Sequence, residues 1–336
     1  MTHDIAPDAG QHMAAEIDEA PAVFAASVAQ PVALPDLSHL RAFYTVARGS
    51  SDAAANILSY EIMRETGLPA TSLPPSVFSL GDGVRLQDSA VLVVSQSGAS
   101  DDLVRSARGA KAAGATVLAL TNAPGSLVEA EAHMTLKIGA GPELAVPATK
   151  SVIGAIAAGM AFLSALVPTY APRAAASARA IEGLAGKSLP QTRAVIAALL
   201  RASHVYVIGR DTGFGAAQEL ALKLKECCAL HAEAYSSSEV LHGPLQLVTN
   251  PLLILILDID QPDVQPSLDM AEHRFRAAGG TVFRLRASDA GATNLTPAAA
   301  AAALLCLTYP LALQTALALG HDPDHPETLS KVTQTR

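Results

Sequence analysis

The sequence predicts an α/β chain made of two consecutive doubly wound parallel-sheet units, and three observations predict it. Short apolar runs alternate with helix-like stretches from about residue 42 to about residue 285. Those runs are continuously hydrophobic rather than alternating, as expected of strands buried under helices on both faces. The same plan occurs twice, before and after a charge-poor stretch near residues 167–177.

Composition agrees. Half of the 336 residues are hydrophobic, yet only 4% are aromatic and none is tryptophan. Ala, Val and Leu carry the apolar weight, which suits tightly packed helices on parallel strands, and the length allows two domains with a large core. The formal net charge is −8, and no Lys/Arg cluster stands out. No nucleic acid and no membrane partner is therefore expected. Anionic small molecules stay open, because local donors decide those. Cys227, Cys228 and Cys306 cannot form a disulfide framework. They read as small buried hydrophobes of a reducing, cytoplasmic setting.

The elements follow in order. An acidic N-terminal stretch (Asp4, Asp8, Glu16, Asp18, Glu19) has no basic segment before an apolar run, so no secretory leader is expected. It reads as a leader helix with Met13, Ile17, Val23, Phe24 and Val28 on an irregular apolar face, broken by Pro31 and Pro35. Phe43 to Val46 reads as a strand ending in Arg48-Gly49-Ser50-Ser51, with a helix to about Thr66. Val91 to Val94, Thr116 to Leu120 and Met134 to Ile138 are the next strands, and a long helix runs from about Thr149 to Leu166. In the second half, Val205 to Ile208, Leu252 to Leu257 and Thr281 to Leu285 are strands. Helices are expected over about Ala216–Leu230 and Pro266–Ala278. Ser151–Pro168 and Leu295–Gly320 are uncharged, but their Ala, Gly and polar content suits buried helices better than membrane spans. The expected organisation is a helical leader (1–35), a first domain (36–170), a second domain (171–325) and a C-terminal tail (326–336).

Chemistry concentrates at strand ends. Ser95-Gln96-Ser97-Gly98-Ala99-Ser100 sits where a strand gives way to a helix, with hydroxyls beside unpaired first-turn amides. Such a turn takes an anion. No GxxxxGK[ST] pattern is present, so a compact phosphate fits better than a nucleoside triphosphate. Ser50 and Ser51 lie at a neighbouring strand end and can converge on the same anion, although Ser is also a common helix cap. Glu219, Lys223 and Glu226 share one helix face. That face is either a solvated pair of ion bridges or a base held ionised by lysine. His231, Glu233, Glu239 and His242 follow without a metal-ligand spacing, so no metal is expected. The tail carries Ser330-Lys331-Val332-Thr333. It is either frayed, or places a lysine able to form a Schiff base.

Together these segments resemble the sugar-isomerase (SIS) superfamily, whose domains are flavodoxin-like. The closest likeness is to the isomerase half of glucosamine-6-phosphate synthases and to stand-alone deaminases. The motifs carrying it are Arg48-Gly49-Ser50-Ser51, Ser95-Gln96-Ser97-Gly98, Glu143 to Lys150, Ala221 to Glu226, His231 to Ala234, Glu239 to Pro244 and Leu329 to Thr333. The resemblance implies that Ser51, Ser95, Gln96, Ser97 and Ser100 hold a phosphate, with Ser50 beside them. It implies that Val146, Ala148 and Ser330 line the sugar. Glu226 would move a proton between C1 and C2, supported by Lys223. His242 would open the sugar ring from the partner subunit of a homodimer, and Lys331 would form or assist an imine at C2. Ala148 stands where the synthases carry serine, and Ala99 where they often carry Glu. No N-terminal cysteine nucleophile is present, since Thr2 follows Met1. Net synthesis would then depend on free ammonium.

The expected activity is conversion of glucosamine 6-phosphate to fructose 6-phosphate and ammonia, with no metal or redox cofactor. Two further readings are a deglycase for phosphorylated fructosyl-amino acids, or a deaminase for the galactosamine epimer. A third is a phosphosugar-binding sensor without turnover, against which Glu226, His242 and Lys331 argue together.

Overall fold

The structure, a computed structural model, describes residues 7–331. Val332 and Thr333 of the tail motif lie outside the described residues, as do Thr2 and Asp4. The first unit runs α1 (Gln11–Val28), β1 (Ala42–Val46), α2 (Ser50–Thr66), β2 (Ala70–Ser72), α3 (Ser76–Ser79) and β3 (Ser89–Ser95). It continues with α4 (Asp101–Ala112), β4 (Thr116–Thr121), α5 (Leu127–Glu131), β5 (Met134–Lys137) and α6 (Lys150–Leu166). Then come α7 (Ala171–Glu182), α8 (Thr192–Leu199), β6 (His204–Gly209), α9 (Thr212–Cys228), β7 (His231–Ser236) and β8 (Leu253–Asp258). The chain closes with α10 (Gln265–Ala277), β9 (Thr281–Arg286) and α11 (Pro297–Leu319).

Two wholly parallel sheets result, ordered β2-β1-β3-β4-β5 and β7-β6-β8-β9. This is the tandem doubly wound α/β architecture expected from sequence. In the first sheet the winding reverses between β1 and β3, which pair in register from Ala42↔Ser89 to Val46↔Val93. The crevice beyond the C-terminal ends of such a pair is where open α/β sheets take ligands. The turns after β1 and β3 carry the two serine clusters, so topology brings both to one crevice.

Burial explains the elements. All seven residues of β3 are buried, as a central strand covered on both faces requires. Met13, Ile17, Ala20, Phe24 and Val28 of α1 are buried, and the helix packs along α6, α7 and α11. Asp324 accepts hydrogen bonds from the backbone N–H groups of His12 and Met13, both at 2.8 Å, so the far end of the chain caps this first helix. α6 is buried over Lys150–Leu163. α11 is long and apolar enough to cross a membrane by length and composition, but 72% of its apolar window is buried within the protein.

The structure corrects the sequence reading in three places and fills in a fourth. Much of the charge-poor stretch near 167–177 is α7, an Ala-rich helix started by Pro172. α9 begins at Thr212 rather than near Ala216, because Asp211 accepts a capping hydrogen bond from the Thr212 N–H at 2.7 Å. Strands β2 and β7 were not anticipated. Both are edge strands, three residues long in one case and polar in the other, with no long apolar run to announce them.

Candidate active site

The turn after β1 is built on Gly49, whose φ of +56° and ψ of −132° only glycine adopts without strain. It starts α2 with Ser50 and Ser51. Arg48 reaches across to Asp102 on α4, with Nε and Oδ2 2.9 Å apart, and ties this turn to the one after β3. In the second turn Ser95 Oγ accepts from the Gly98 N–H at 3.1 Å, and Ser97 Oγ accepts from the Ala99 N–H at 3.4 Å. Gly98 has φ +60°, and a Cβ there would lie 2.2 Å from Ser126 Oγ. Ser100 stands at the N-cap of α4 without a side-chain capping bond.

A cleft of about 690 Å³ opens beside this turn. Gln96, Ser97, Thr121, Asn122, Lys137 and Lys331 are among the residues lining it. Lys331 donates to the Ala145 carbonyl at 2.6 Å and lies 3.3 Å from Glu143 Oε2, with 27% of its side chain exposed. Glu143 in turn caps α6: it accepts from the N–H groups of Thr149 (2.9 Å) and Ser151 (3.0 Å) and from the Ser151 hydroxyl. Glu16 accepts from the N–H groups of Leu144 and Ala145, and burial, opposed by the Leu144 bond, pushes its carboxyl up. The loop bearing half-buried Val146 and Ala148 is thus anchored at several points, including a 3.3 Å bond from the Val146 N–H to the Asp324 carbonyl. Ser330 lies on the exposed segment just before Lys331.

The Glu219–Lys223–Glu226 face is not solvated. Lys223 and Glu219 are wholly buried, and only Glu226 reaches the surface, with 25% of its side chain exposed. The Lys223 ammonium donates to Glu226 Oε2 and to Ser50 Oγ (3.0 Å), and lies 3.4 Å from Glu219 Oε1. Tyr309 of α11 donates to Glu219 Oε1 at 3.2 Å. Burial pushes the Glu219 carboxyl up to about 7, although Lys223 pulls the other way. Burial also disfavours the Lys223 ammonium, but the carboxylates of Glu219 and Glu226 outweigh it and hold that lysine above its ordinary range. The lysine therefore stays a cation at neutral pH.

This bonded chain reaches the phosphate-type turn through Ser50. α9 and α2 pack closely because Gly215 leaves room: a Cβ there would lie 2.6 Å from Ile57 Cγ1 and 2.9 Å from the Ala53 carbonyl. Ser50 Oγ accepts from Lys223, which leaves the Ser50 O–H as a donor. Gln96, Ser97 and Lys331 share the cleft. His242 is not joined to them: it follows an exposed turn after β7, and its ring has no hydrogen-bond partner among the described residues.

Sequence reasoning passed over Glu143, Glu16 and Tyr309. Glu143 stood inside a motif but carried no signal of being an anchor. Tyr309 lies in a largely apolar helix 90 residues from its partner. The second unit also repeats the first turn. Asp211 has φ +59° and ψ −136°, nearly the Gly49 conformation, and follows Arg210 as Gly49 follows Arg48. Its carboxylate pairs with Arg64 of α2 at 2.7 Å.

Comparison with known proteins places these features in context. A family model described as SIS domain matches residues 36–165 and 198–287. A glutamine–fructose-6-phosphate aminotransferase (isomerizing) of Symbiobacterium thermophilum is 32% identical over 318 residues, covering 87% of this chain and 51% of that protein. The chain spans about half the length of the curated relatives it matches. A crystal structure of a proposed phosphosugar isomerase from Silicibacter pomeroyi DSS-3 superposes with a TM-score of 0.82 at 32% identity, covering 93% of this chain and 99% of that one. A glucosamine-6-phosphate deaminase from Thermotoga maritima shares the fold, with a TM-score of 0.77 at 20% identity, covering 96% of this chain and 100% of that one.

Proposed function

The chain belongs to the SIS domain family, and on that premise we propose that it is a phosphosugar isomerase that deaminates an amino sugar phosphate. The preferred substrate is glucosamine 6-phosphate, and the products are fructose 6-phosphate and ammonia. The observation that supports this is the bonded chain Ser50–Lys223–Glu226, which links a surface-reaching carboxylate to the serine turn after β1. A pure binder has no use for such a base.

Ser51, Ser95, Gln96, Ser97 and Ser100, with the first amides of α4, hold the phosphate without a charged side chain. Val146, Ala148 and Ser330 line the sugar. In the open-chain aldehyde, Glu226 removes the proton from C2, giving an enolamine, and returns it to C1, while the C1 oxygen gains one proton and the amine nitrogen gives one up. The product is a ketimine at C2. Water, or Lys331 through an imine of its own, adds at C2 and ammonia leaves. Lys223 holds the base in place through its hydrogen bond to Oε2. A homodimer in which His242 of one subunit opens the sugar ring in the other completes the reading, and a cytoplasmic setting suits a phosphosugar substrate.

The test is ammonia release from glucosamine 6-phosphate, with galactosamine 6-phosphate and phosphorylated fructosyl-amino acids alongside. Release from the glucosamine compound at the highest kcat/KM is the expected outcome. Amino-acid release from the fructosyl adducts would transfer the proposal to a deglycase. Tight hexose-phosphate binding without any turnover would overturn the enzyme reading.

A further inference from the structure

Tyr309 is completely buried in the middle of α11, and its hydroxyl is placed on Glu219 Oε1 rather than on the helix backbone. The burial and the Glu219 carboxylate hold the phenol far above its ordinary range, so it remains a donor at every pH the protein meets. The other oxygen of Glu219, Oε2, has no hydrogen-bond partner among the described residues. A buried carboxylate so poorly supplied with donors depends heavily on each one it has.

We propose that Tyr309 is a positioning residue for the reaction: its hydrogen bond keeps Glu219 ionised, so that Glu219 and Glu226 share the Lys223 ammonium. The proposal rests on Glu226 being the base. The physical reason is electrostatic division. While Glu219 is a carboxylate, the Lys223 ammonium is held between two negative partners. When Glu219 takes up a proton, the ammonium is drawn to Glu226 alone and ties up the carboxylate that must reach the substrate.

The groups facing Glu219 are Lys223, Glu226 and Cys227 on its own helix, Ser50 of α2 and Tyr309 of α11; Cys306 and Glu143 act on Tyr309, and Asp324 acts on Cys227. Cys227 and Cys306 are each pushed up to about 12 by burial and stay neutral. Lys223 stays charged, as described above. Glu219 is thus the member of the cluster that changes state near neutral pH, and Tyr309 is the donor that α11 contributes to it.

The experiment compares pH–rate profiles of the full-length wild type and Tyr309→Phe, with infrared titration of the Glu219 carboxyl band assigned through Glu219→Gln. In the wild type, kcat is expected to rise with pH as Glu219 ionises. In Tyr309→Phe that rise should move up by about one pH unit, the size of one hydrogen bond to a charged group. Below the midpoint kcat is then about tenfold lower, while above it the two enzymes converge and KM is unchanged. A purely structural role would lower kcat equally at every pH; that result, or superimposable profiles, overturns the proposal. The infrared band should persist to higher pH in Tyr309→Phe whether or not turnover is seen. Absence of wild-type turnover therefore sinks the reaction, while an unmoved band sinks the role of Tyr309. If Tyr309→Phe does not fold, Glu219→Gln decides: its profile must lose this limb, and a retained limb refutes the inference.

Discussion

Replacing Glu226 by glutamine isolates the proton transfer. The structure lets its two consequences be separated. Lys223 keeps Glu219 at 3.4 Å when Glu226 loses its charge. A buried pair broken outright costs about 3–5 kcal/mol and an exposed one about 0–1 kcal/mol; this pair joins a buried lysine to a partly exposed carboxylate, so the loss should fall between them, at about 1–3 kcal/mol. The protein should therefore still fold, with a lowered melting temperature. Catalysis should fall by about 10²–10⁴, equivalent to about 3–5 kcal/mol of transition-state stabilisation. KM should stay within a few-fold, because the phosphate turn is untouched. The assay is ammonia release together with exchange of the C2 hydrogen with deuterated solvent, which reads the abstraction step directly. Turnover and exchange within threefold of wild type in a folded Glu226→Gln protein would refute the assignment of the base.

Three other outcomes are expected. Gly98→Ala places a methyl group against Ser126 at a positive φ, and should raise KM for the phosphosugar at least about tenfold while costing roughly 1–3 kcal/mol of stability, read by steady-state kinetics and calorimetry. Lys331→Ala should fold normally, lower kcat, and abolish any borohydride-trapped adduct with fructose 6-phosphate; trapping that survives the substitution removes Lys331 as the imine former. Burial pushes the Glu61 carboxyl up to about 7, against a 2.7 Å bond from the Tyr170 hydroxyl. A raised carboxyl stabilises the fold fully below its unfolded value of 4.5 and loses that stability as pH rises through about 7, a change of about 3 kcal/mol. Glu61→Gln should flatten the pH dependence of the urea midpoint across that window, leaving the similar contribution of Glu219.

Much of this was legible in the residues, and what was not has physical reasons. The buried strands β3, β4, β6 and β8 announce themselves because a strand covered on both faces must be apolar throughout. The edge strand β7, His231–Ser236, must not be, and its polar residues read as a catalytic string instead. Periodicity placed Glu219, Lys223 and Glu226 on one helix face but could not say what lay against it. The burial comes from α2 and α11, and Gly215 is the only local hint of so close an approach. The sequence offered Ser50 and Ser51 as hydroxyls for one anion, and only the crossing of α2 and α9 shows that Ser50 also meets the lysine. Anchors such as Glu143 and Glu16 act through backbone amides of a loop, and such contacts leave no spacing rule in a sequence.

The repeated turn has a consequence for stoichiometry. Where the first half has Gly49, the second seats Asp211, whose own carboxylate meets the Thr212 amide and the Arg64 guanidinium. An incoming phosphate there would confront a resident carboxylate. Titration of the protein with a hexose phosphate should accordingly saturate at one equivalent for each polypeptide, although the backbone was laid down for two.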